Sequence, residues 1–237
     1  MLAAYLLPLL LLADAPAAPD IAEADRLLED AADDRASYEG ALAIYDAALK
    51  AGGPAVLHAR RSKAMLRRGD LEKADAAKQA WFEKGVIAAD AGIALDAQCA
   101  DCWFWRSANR GRWGQVQGVM KALFLLDEVK AGLAKAIAIQ PGHHDARLAL
   151  GLVDKEVPGF AGGSVERAEA AFRAVVKASP RFTRARLDLA EVCWDEDKQD
   201  EAKALAQSVL VEKAPLHRGE HRKFDVARAR KLLAAWE

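Results

Sequence analysis

The stretch AEAAFRAVVKASP, residues 168–180, decides the fold because its small and apolar residues recur at a fixed spacing. The marker positions fall at offsets of 0, 4, 7 and 12 and are occupied by Ala168, Phe172, Val175 and Pro180. The first three share one face of a helix, and the proline cannot continue that helix. This spacing is typical of the second helix of a tetratricopeptide repeat, which packs closely against a first helix.

The same pattern recurs along the chain in weaker form. Successive units end at Gly53, Ala97, Pro141, Pro180 and Pro215, with separations of 44, 44, 39 and 35 residues. Only the last separation is near the usual period of about 34 residues. We therefore predict an all-α, tetratricopeptide-like α-solenoid of stacked helix pairs, forming a single domain over residues 18–237. The extra residues in the middle repeats predict inserted segments.

Composition and charge support a helical, globular chain. Hydrophobic residues make up 52% of the 237 residues, and 34 basic residues nearly balance 35 acidic ones, so the sequence gives no electrostatic reason to expect a nucleic-acid partner. The charge is uneven: residues 18–50 hold nine acids and three bases, whereas residues 213–237 hold seven bases and three acids. We interpret the two biased segments as solvated faces at the two ends of the array.

The N-terminal sequence MLAAYLLPLLLLADAPAAPD, residues 1–20, predicts export. Its apolar run, residues 2–12, is about half the ~20 residues that span a bilayer, and Ala15-Pro16-Ala17 provides a small-residue cleavage site. Residues 1–17 are therefore a predicted signal peptide, and we expect a periplasmic or otherwise exported protein. The usual basic residue before the apolar run is missing, which counts against export. No cysteine follows the run before Cys99, so we expect no lipid attachment there.

The segment CADCWFWRSANRGRWG, residues 99–114, is the most unusual part of the chain. Cys99 and Cys102 are candidates for a disulfide across one helical turn, for two reduced cysteines packed in a repeat interface, or for a redox dithiol. The redox interpretation lacks the βαβ scaffold on which such chemistry usually occurs. Zinc coordination together with His143 and His144 is a further alternative, but the spacing matches no known zinc motif, and we expect no metal.

The same segment supplies most of the candidate binding site. The recurring pattern of helix pairs makes this segment the first helix of its pair, with Phe104, Ala108 and Gly111 at the positions that pack against the second helix. The residues on adjacent faces either line a cavity or fill a wide core. The predicted ligand- or partner-binding residues are Trp105, Arg106, Asn109, Arg110 and Trp113, together with Phe160 on a later loop.

Two inserted segments interrupt the middle repeats. GQVQGVMKALFLLDEVK, residues 114–130, carries an apolar stripe that either covers a cavity or is an ordinary helix extension. KEVPGFAGGSVERA, residues 155–168, contains two turn-forming dipeptides and predicts a loop, with Ser164 capping the next helix.

Three stretches together resemble the tetratricopeptide-like T-component family associated with TRAP transporters. They are residues 103–151, from WFWRSANRGRWG to HHDARLALG, then VPGFAGGSVERAEAAF at 157–172 and RARLDLAEV at 184–192. The resemblance implies a periplasmic or membrane-associated helical protein whose cavity helps a solute-binding partner to deliver small, possibly hydrophobic ligands. Members often carry a lipid-anchor cysteine, which this sequence lacks after its apolar run. A weaker likeness to the regulator of microtubule dynamics family implies the same repeat type and no chemistry.

These observations predict a binding protein rather than an enzyme. The sequence holds no recognisable nucleophile turn, no HExxH motif and no dinucleotide fingerprint, so we expect no catalysis and no cofactor. The predicted function is binding of a small ligand or of a partner protein, with a role in solute transport. The alternatives are an architectural adaptor, which would also use the basic C-terminal helix around Arg222, Arg228 and Arg230, and a thiol redox protein. A cavity enclosed by the inserted segments would favour the ligand, and an open polar groove would favour the adaptor.

Overall fold

The computed structural model describes residues 19–30 and 34–237. The predicted signal peptide, residues 1–17, lies outside these residues. The described part of the chain is built from helices and connecting turns and contains no strand. None of its helices combines the length and the apolar character needed to cross a membrane.

The helices follow one another with short connections. Their bounds are α1 (Ile21–Asp30), α2 (Arg35–Lys50), α3 (Ala55–Asp70), α4 (Asp75–Leu95), α5 (Ala100–Val116), α6 (Val119–Phe124), α7 (Leu126–Ile139), α8 (His144–Glu156), α9 (Val165–Ala178), α10 (Thr183–Asp195), α11 (Gln199–Leu210), α12 (Arg218–Glu220) and α13 (Val226–Ala235). A single 3₁₀ turn, Gly159–Ala161, precedes α9, and a π-helical segment, His221–Asp225, joins α12 to α13.

The helices form the predicted α-solenoid. Neighbouring contacts pair α1 with α2, α3 with α4, α5 with α7, α8 with α9 and α10 with α11, and α13 packs against α11. The spacing of small and apolar residues accounts for the pair of α8 and α9: Ala168, Phe172 and Val175 of α9 are completely buried, and α9 ends two residues before Pro180. The predicted fold class is confirmed.

First helices begin at equivalent positions, as the repeat frame predicts. Cys99 and His143 each precede a first helix, and the side chain of each accepts a hydrogen bond from a backbone N–H three residues later. The donors are Cys102 N at 3.2 Å and Ala146 N at 3.1 Å. Capping of this kind satisfies backbone groups that the first helical turn leaves without partners.

The inserted segments lie between α5 and α7 and between α8 and α9, in the middle of the array. The first contains α6, whose side chains of Val119, Met120 and Phe124 are 76%, 67% and 77% exposed. The second is a loop in which Gly162 adopts a φ of 89°, a conformation that favours glycine. Ser164 caps α9 as predicted, because its Oγ accepts a hydrogen bond from Arg167 N at 3.1 Å.

The two ends of the array meet. Gly219 N at the start of α12 donates to Glu29 Oε1 of α1 at 2.8 Å, and Arg222 Nη2 lies 3.8 Å from Asp30 Oδ1. The acidic N-terminal segment and the basic C-terminal segment therefore contact each other here, while the side chains of Arg222 and Asp30 stay largely exposed to solvent. Because the last helices return to the first, the solenoid closes into a ring.

Candidate functional site

The ring surrounds a central cavity of about 1090 Å³ that is open to solvent. Its wall is formed mainly by the inward faces of the first helices α3, α5, α8 and α10 and by the C-terminal segment from His217 onward. Val129 and Leu133 of α7 complete one side. The inserted segments contribute only residues at their ends, namely Gln115, Val129, Lys155 and Glu156, whereas α6 and the loop around Phe160 do not line the cavity. Of the two alternatives that the sequence left open for the insertion before α7, covering a cavity or extending a helix, the position of α6 outside the cavity wall does not favour the first.

Part of the cavity wall is apolar. Phe104 and Trp105 of α5 form one patch, with ring centroids 4.7 Å apart in an edge-to-face arrangement. The remaining apolar lining comes from the other first helices and from the C-terminal segment, through Ala59, Leu66, Leu148, Leu152, Phe182 and Phe224. Apolar walls of this kind favour the burial of nonpolar groups of a ligand.

The rest of the wall carries charged side chains that mostly compensate one another. Lys155 Nζ lies 2.6 Å from Glu191 Oε2, and Arg228 Nη1 lies 2.7 Å from Asp188 Oδ1. Further ion pairs join residues from different parts of the cavity wall: Arg67 with Glu220, Arg112 with Asp70, and His217 with Asp145. Lys63 Nζ lies 5.7 Å from the ring centroid of Trp105, where a cation–π interaction forms.

The charged pairs shift the pKa values of their carboxyl groups in opposite directions. Burial alone would raise the pKa of Asp145, but the hydrogen bond with His217 and the charge of Lys63 outweigh it, and the pKa is lowered. At Asp188 burial dominates over the attraction of Arg228, and the pKa is raised. In the cavity wall the charged form of Asp145 is therefore stabilised, whereas the charged form of Asp188 is disfavoured by burial.

Only one of the six predicted binding residues lines the cavity, namely Trp105. Asn109 is fully buried, and its Nδ2 donates to Ser62 Oγ at 3.0 Å in the contact between α3 and α5. Arg106 and Arg110 form ion pairs with Glu128 on the opposite side of α5.

The remaining two candidates lie elsewhere on the surface. The guanidinium of Arg110 stacks over the ring of Trp113 at 5.2 Å, away from the cavity. Phe160 is 91% exposed on the loop before α9. Neither Trp113 nor Phe160 therefore lines the cavity.

Equivalent positions in successive repeats identify residues that line the cavity. The first helices α3, α5, α8 and α10 are each preceded by an N-cap residue, and these are Pro54, Cys99, His143 and Phe182. The residues six positions later all line the cavity: Arg60, Trp105, Ala149 and Asp188. The residues nine positions later do so as well: Lys63, Ala108, Leu152 and Glu191. Comparing equivalent positions across repeats, rather than reading one helix alone, would have placed Ala108 on the cavity wall instead of in a helix contact.

The cysteines and histidines near α5 form no metal site in the described residues, where no group of three or more metal-binding side chains occurs. Cys99 and Cys102 are joined in a disulfide and are both buried. His143 Nε2 instead lies 3.2 Å from Asp101 Oδ1. The third cysteine, Cys193, is fully buried, and burial raises its pKa to about 11.

These environments predict that the native protein has no rapidly reacting thiol. A thiol reacts as its thiolate, so a buried group with a raised pKa is slow, and a disulfide does not react with thiol reagents. We expect a maleimide to label no cysteine in the native, unreduced protein and one cysteine, Cys193, after unfolding. Rapid labelling of Cys99 in the native protein would contradict this and would favour a redox role.

Asp154 fixes the loop that carries Phe160. Its carboxylate accepts hydrogen bonds from Lys130 Nζ at 3.0 Å and from Arg167 Nη2 at 3.0 Å, and both donors also bind Gly162 O. Burial would raise the pKa of Asp154, but the two cations outweigh it and lower the pKa.

We expect Asp154→Asn to lower the free energy of unfolding by about 1 kcal/mol at neutral pH, because the partners are partly exposed. A lowered folded-state pKa gives stabilisation that is complete above the unfolded-state value of about 4 and is lost as the pH falls through the folded-state value. The difference between the two proteins should therefore shrink between pH 7 and pH 3 in urea titrations. A difference that stays constant over this range would show that the carboxylate charge is not responsible.

Comparison with known proteins places the chain in a family. Residues 20–158, more than half of the chain, match the family described as regulator of microtubule dynamics protein 1-3. The chain belongs to the regulator of microtubule dynamics family. The match covers α1–α8. No curated protein sequence shows significant similarity to the chain.

Solved structures show the same repeat architecture in more distant proteins. TTC0263, a thermophilic tetratricopeptide repeat protein of Thermus thermophilus, is 17% identical and superposes with a TM-score of 0.59, covering 85% of this chain and 91% of that one. MamA of Desulfovibrio magneticus, residues 41 to the end, is 16% identical with a TM-score of 0.50, covering 79% and 89%. At these identities the similarity establishes the fold alone.

Proposed function

We propose that this regulator-family protein is a non-enzymatic binding protein that holds a small ligand in its central cavity. The observation that carries the proposal is the ring of helices around a central cavity of about 1090 Å³, a volume slightly above the usual range of small-molecule sites. The apolar patch of Phe104 and Trp105 and the ion-paired side chains line the same cavity. This arrangement suits a ligand with a nonpolar body and polar ends.

The resemblance to the T-component family supports the same proposal. That resemblance implies a cavity protein that helps to deliver small ligands to a transporter, and the predicted signal peptide would place the protein in the periplasm or another exported location. The function proposed here is therefore that of a ligand-carrying accessory protein in the cell envelope.

A second candidate function is that of an adaptor for a partner protein. The exposed apolar side chains of Met120, Phe124 and Phe160 favour it, because large exposed apolar groups often mark contact surfaces. This surface lies outside the cavity, so the two functions use different residues and are separable by mutation.

Native mass spectrometry of the purified protein tests the cavity directly. We expect a small molecule to be retained at near one equivalent when no detergent is used. Ala108→Trp fills the cavity from α5 and should abolish retention, whereas Ala204→Trp, on an exposed part of α11, should preserve it. Equal retention by both variants would show that the ligand binds elsewhere. Absence of any retained molecule, together with loss of partner binding in Phe124→Ser, would favour the adaptor.

A further inference from the structure

Four large apolar side chains of the two inserted segments are turned toward solvent. They are Val119, Met120 and Phe124 of α6 and Phe160 of the loop before α9, and they are here called the apolar tips. No residue of α6 is buried, and none is buried in the 3₁₀ turn that carries Phe160. The apolar tips therefore stand away from the core of the fold.

The apolar tips of both segments lie on the same edge of the ring. One segment follows the first helix α5 and the other follows the first helix α8. The starts of these two helices lie side by side, since His143 Nε2 is 3.2 Å from Asp101 Oδ1. Their far ends are linked as well, because Lys130 Nζ, one turn into α7, donates to Gly162 O of the loop at 3.1 Å. The two inserted segments are therefore neighbours on the edge where α5 and α8 end.

The first inserted segment is surrounded by basic residues. Residues 103–126 contain four bases, Arg106, Arg110, Arg112 and Lys121, and no acid. The three arginines form ion pairs with residues of other helices. Lys121 lies between the apolar tips of α6, is exposed, and forms no ion pair with any residue that the structure describes. Its charge is therefore available to an anionic partner.

An indole ring lies among these bases. The guanidinium of Arg110 is 5.2 Å from the ring centroid of Trp113, and Lys121 Nζ is 5.7 Å from it. Tryptophan is enriched at the level of lipid headgroups, where its ring contacts apolar groups and its N–H contacts polar ones. A lysine at the same level extends its ammonium group toward the phosphates. Trp113 and Lys121 beside the apolar tips thus have the composition of a surface that rests on a bilayer.

The arrangement fits a lipid surface better than another copy of this chain or a folded partner. A protein interface packs its apolar side chains into one buried core, whereas here they lie on two separate segments. A second copy docked through the same surface would bring the bases of both copies together. A bilayer imposes no fixed shape on the apolar side chains that enter it, and anionic headgroups attract the bases.

We infer that the apolar tips dock the protein on an anionic lipid surface. Phe124 and Phe160 enter the boundary between headgroups and acyl chains, and Lys121 contacts the headgroup phosphates. The inference goes beyond the proposed function and requires no ligand in the cavity. Docking places the edge at which Gln115 and Glu156 line the cavity next to the membrane.

Co-sedimentation of the full chain with lipid vesicles tests the docking. We expect binding to vesicles of equal parts phosphatidylcholine and phosphatidylglycerol, and about tenfold weaker binding to phosphatidylcholine alone. Phe124→Ser and Phe160→Ser should each weaken binding to the anionic vesicles about tenfold, because each removes a side chain that leaves water. Lys121→Glu should weaken binding to the anionic vesicles about tenfold and have little effect on the neutral ones. Since none of these residues is buried, the variants should fold as the parent does.

A matched pair of valines provides the control. Val119 is 76% exposed on α6, and Val211 is 74% exposed after the second helix α11. Val211 lies on the opposite edge of the ring, because the segment that follows it returns to the turn before α10, where Leu216 N donates to Arg181 O at 2.9 Å. We expect Val119→Ser to weaken vesicle binding about threefold and Val211→Ser to leave it unchanged. All variants retain the apolar residues 2–12, so any lipid binding by those residues is common to them.

A fluorescent label reports whether the tips themselves enter the lipid. The native cysteines are buried or joined in a disulfide, so Met120→Cys and Val211→Cys each provide one accessible thiol for a nitrobenzoxadiazole label. We expect anionic vesicles to shift the emission of the label at residue 120 to shorter wavelength and to leave the label at residue 211 unchanged.

Three results would overturn the inference. One is the absence of binding to anionic vesicles, and another is equal binding by Phe124→Ser, Phe160→Ser and Val211→Ser. The third is an unchanged emission at residue 120 when the protein is bound to vesicles, because another part of the chain would then contact the lipid. If vesicles fail to bind but Phe124→Ser loses a partner protein, the surface belongs to an adaptor. Retention of a small molecule in the cavity is measured separately, so the proposed function can fail while the docking holds, and the reverse.

Discussion

Replacing Phe172 by alanine is expected to lower the free energy of unfolding by about 3 to 5 kcal/mol. The side chain is fully buried in the apolar cluster shared by α8, α9, α10 and α11. Its ring lies directly against Gly151 of α8, where a Cβ would come within 2.7 Å of the ring. The glycine offers no side chain that could move into the space that the phenyl ring leaves, so most of the cavity would remain empty. Urea denaturation followed by circular dichroism measures the loss.

Phe160→Ala is the matched control for this substitution. Phe160 is only twelve residues earlier but is 91% exposed, so its truncation removes little buried area and should change the free energy of unfolding by less than about 0.5 kcal/mol. If the two variants lost the same stability, the loop around Phe160 would have to be packed in solution against another surface.

Gly85→Ala is expected to destabilise the protein by about 2 kcal/mol through overpacking between α4 and α5. A Cβ at this position would overlap the side-chain amide of Asn109. That amide cannot move away without losing its hydrogen bonds to Ser62 Oγ at 3.0 Å and to Trp105 O at 3.0 Å. Ser62 Oγ in turn donates to Gly85 O at 2.7 Å, so the whole contact between three helices is disturbed.

The same substitution at Gly111 should have the opposite sign. Gly111 lies inside α5, and the nearest atoms to an added Cβ are those of Val129 at 3.9 Å, an ordinary contact distance. Because alanine favours the helix over glycine by up to about 1 kcal/mol, we expect Gly111→Ala to raise stability. Thermal unfolding of both variants checks the pair. A gain in stability at Gly85 would show that the contact between α4 and α5 is looser than the structure indicates.

The periodicity of small residues predicted the helix pairs correctly because it acts locally. A second helix needs Ala168 and Val175 on one face wherever it lies, and a proline after it stops the helix regardless of the rest of the fold. Helix capping also depends only on neighbouring residues, and Ser164 caps α9 in the structure as the sequence predicts. The same repeat frame also identified Cys99 and His143 as equivalent positions at the starts of first helices.

The candidate site could not be predicted in the same way. The predicted binding residues of α5 were those on the faces adjacent to its packing positions, but Arg106, Arg110 and Trp113 contact Glu128 or one another outside the cavity. Which face of a first helix is inward depends on how successive pairs stack, and that is a property of several helices at once. Only the comparison of equivalent positions in four repeats recovers the inward face.

The sequence by itself determined the helices, their pairing and the residues that pack each pair, because these depend on spacings within about forty residues. Tertiary structure alone decided that the array closes. The curvature of a solenoid results from small rotations between successive repeats, which no local pattern records. Closure brings Glu29 and Asp30 against Gly219 and Arg222, almost two hundred residues apart in sequence, and so completes the wall of the cavity.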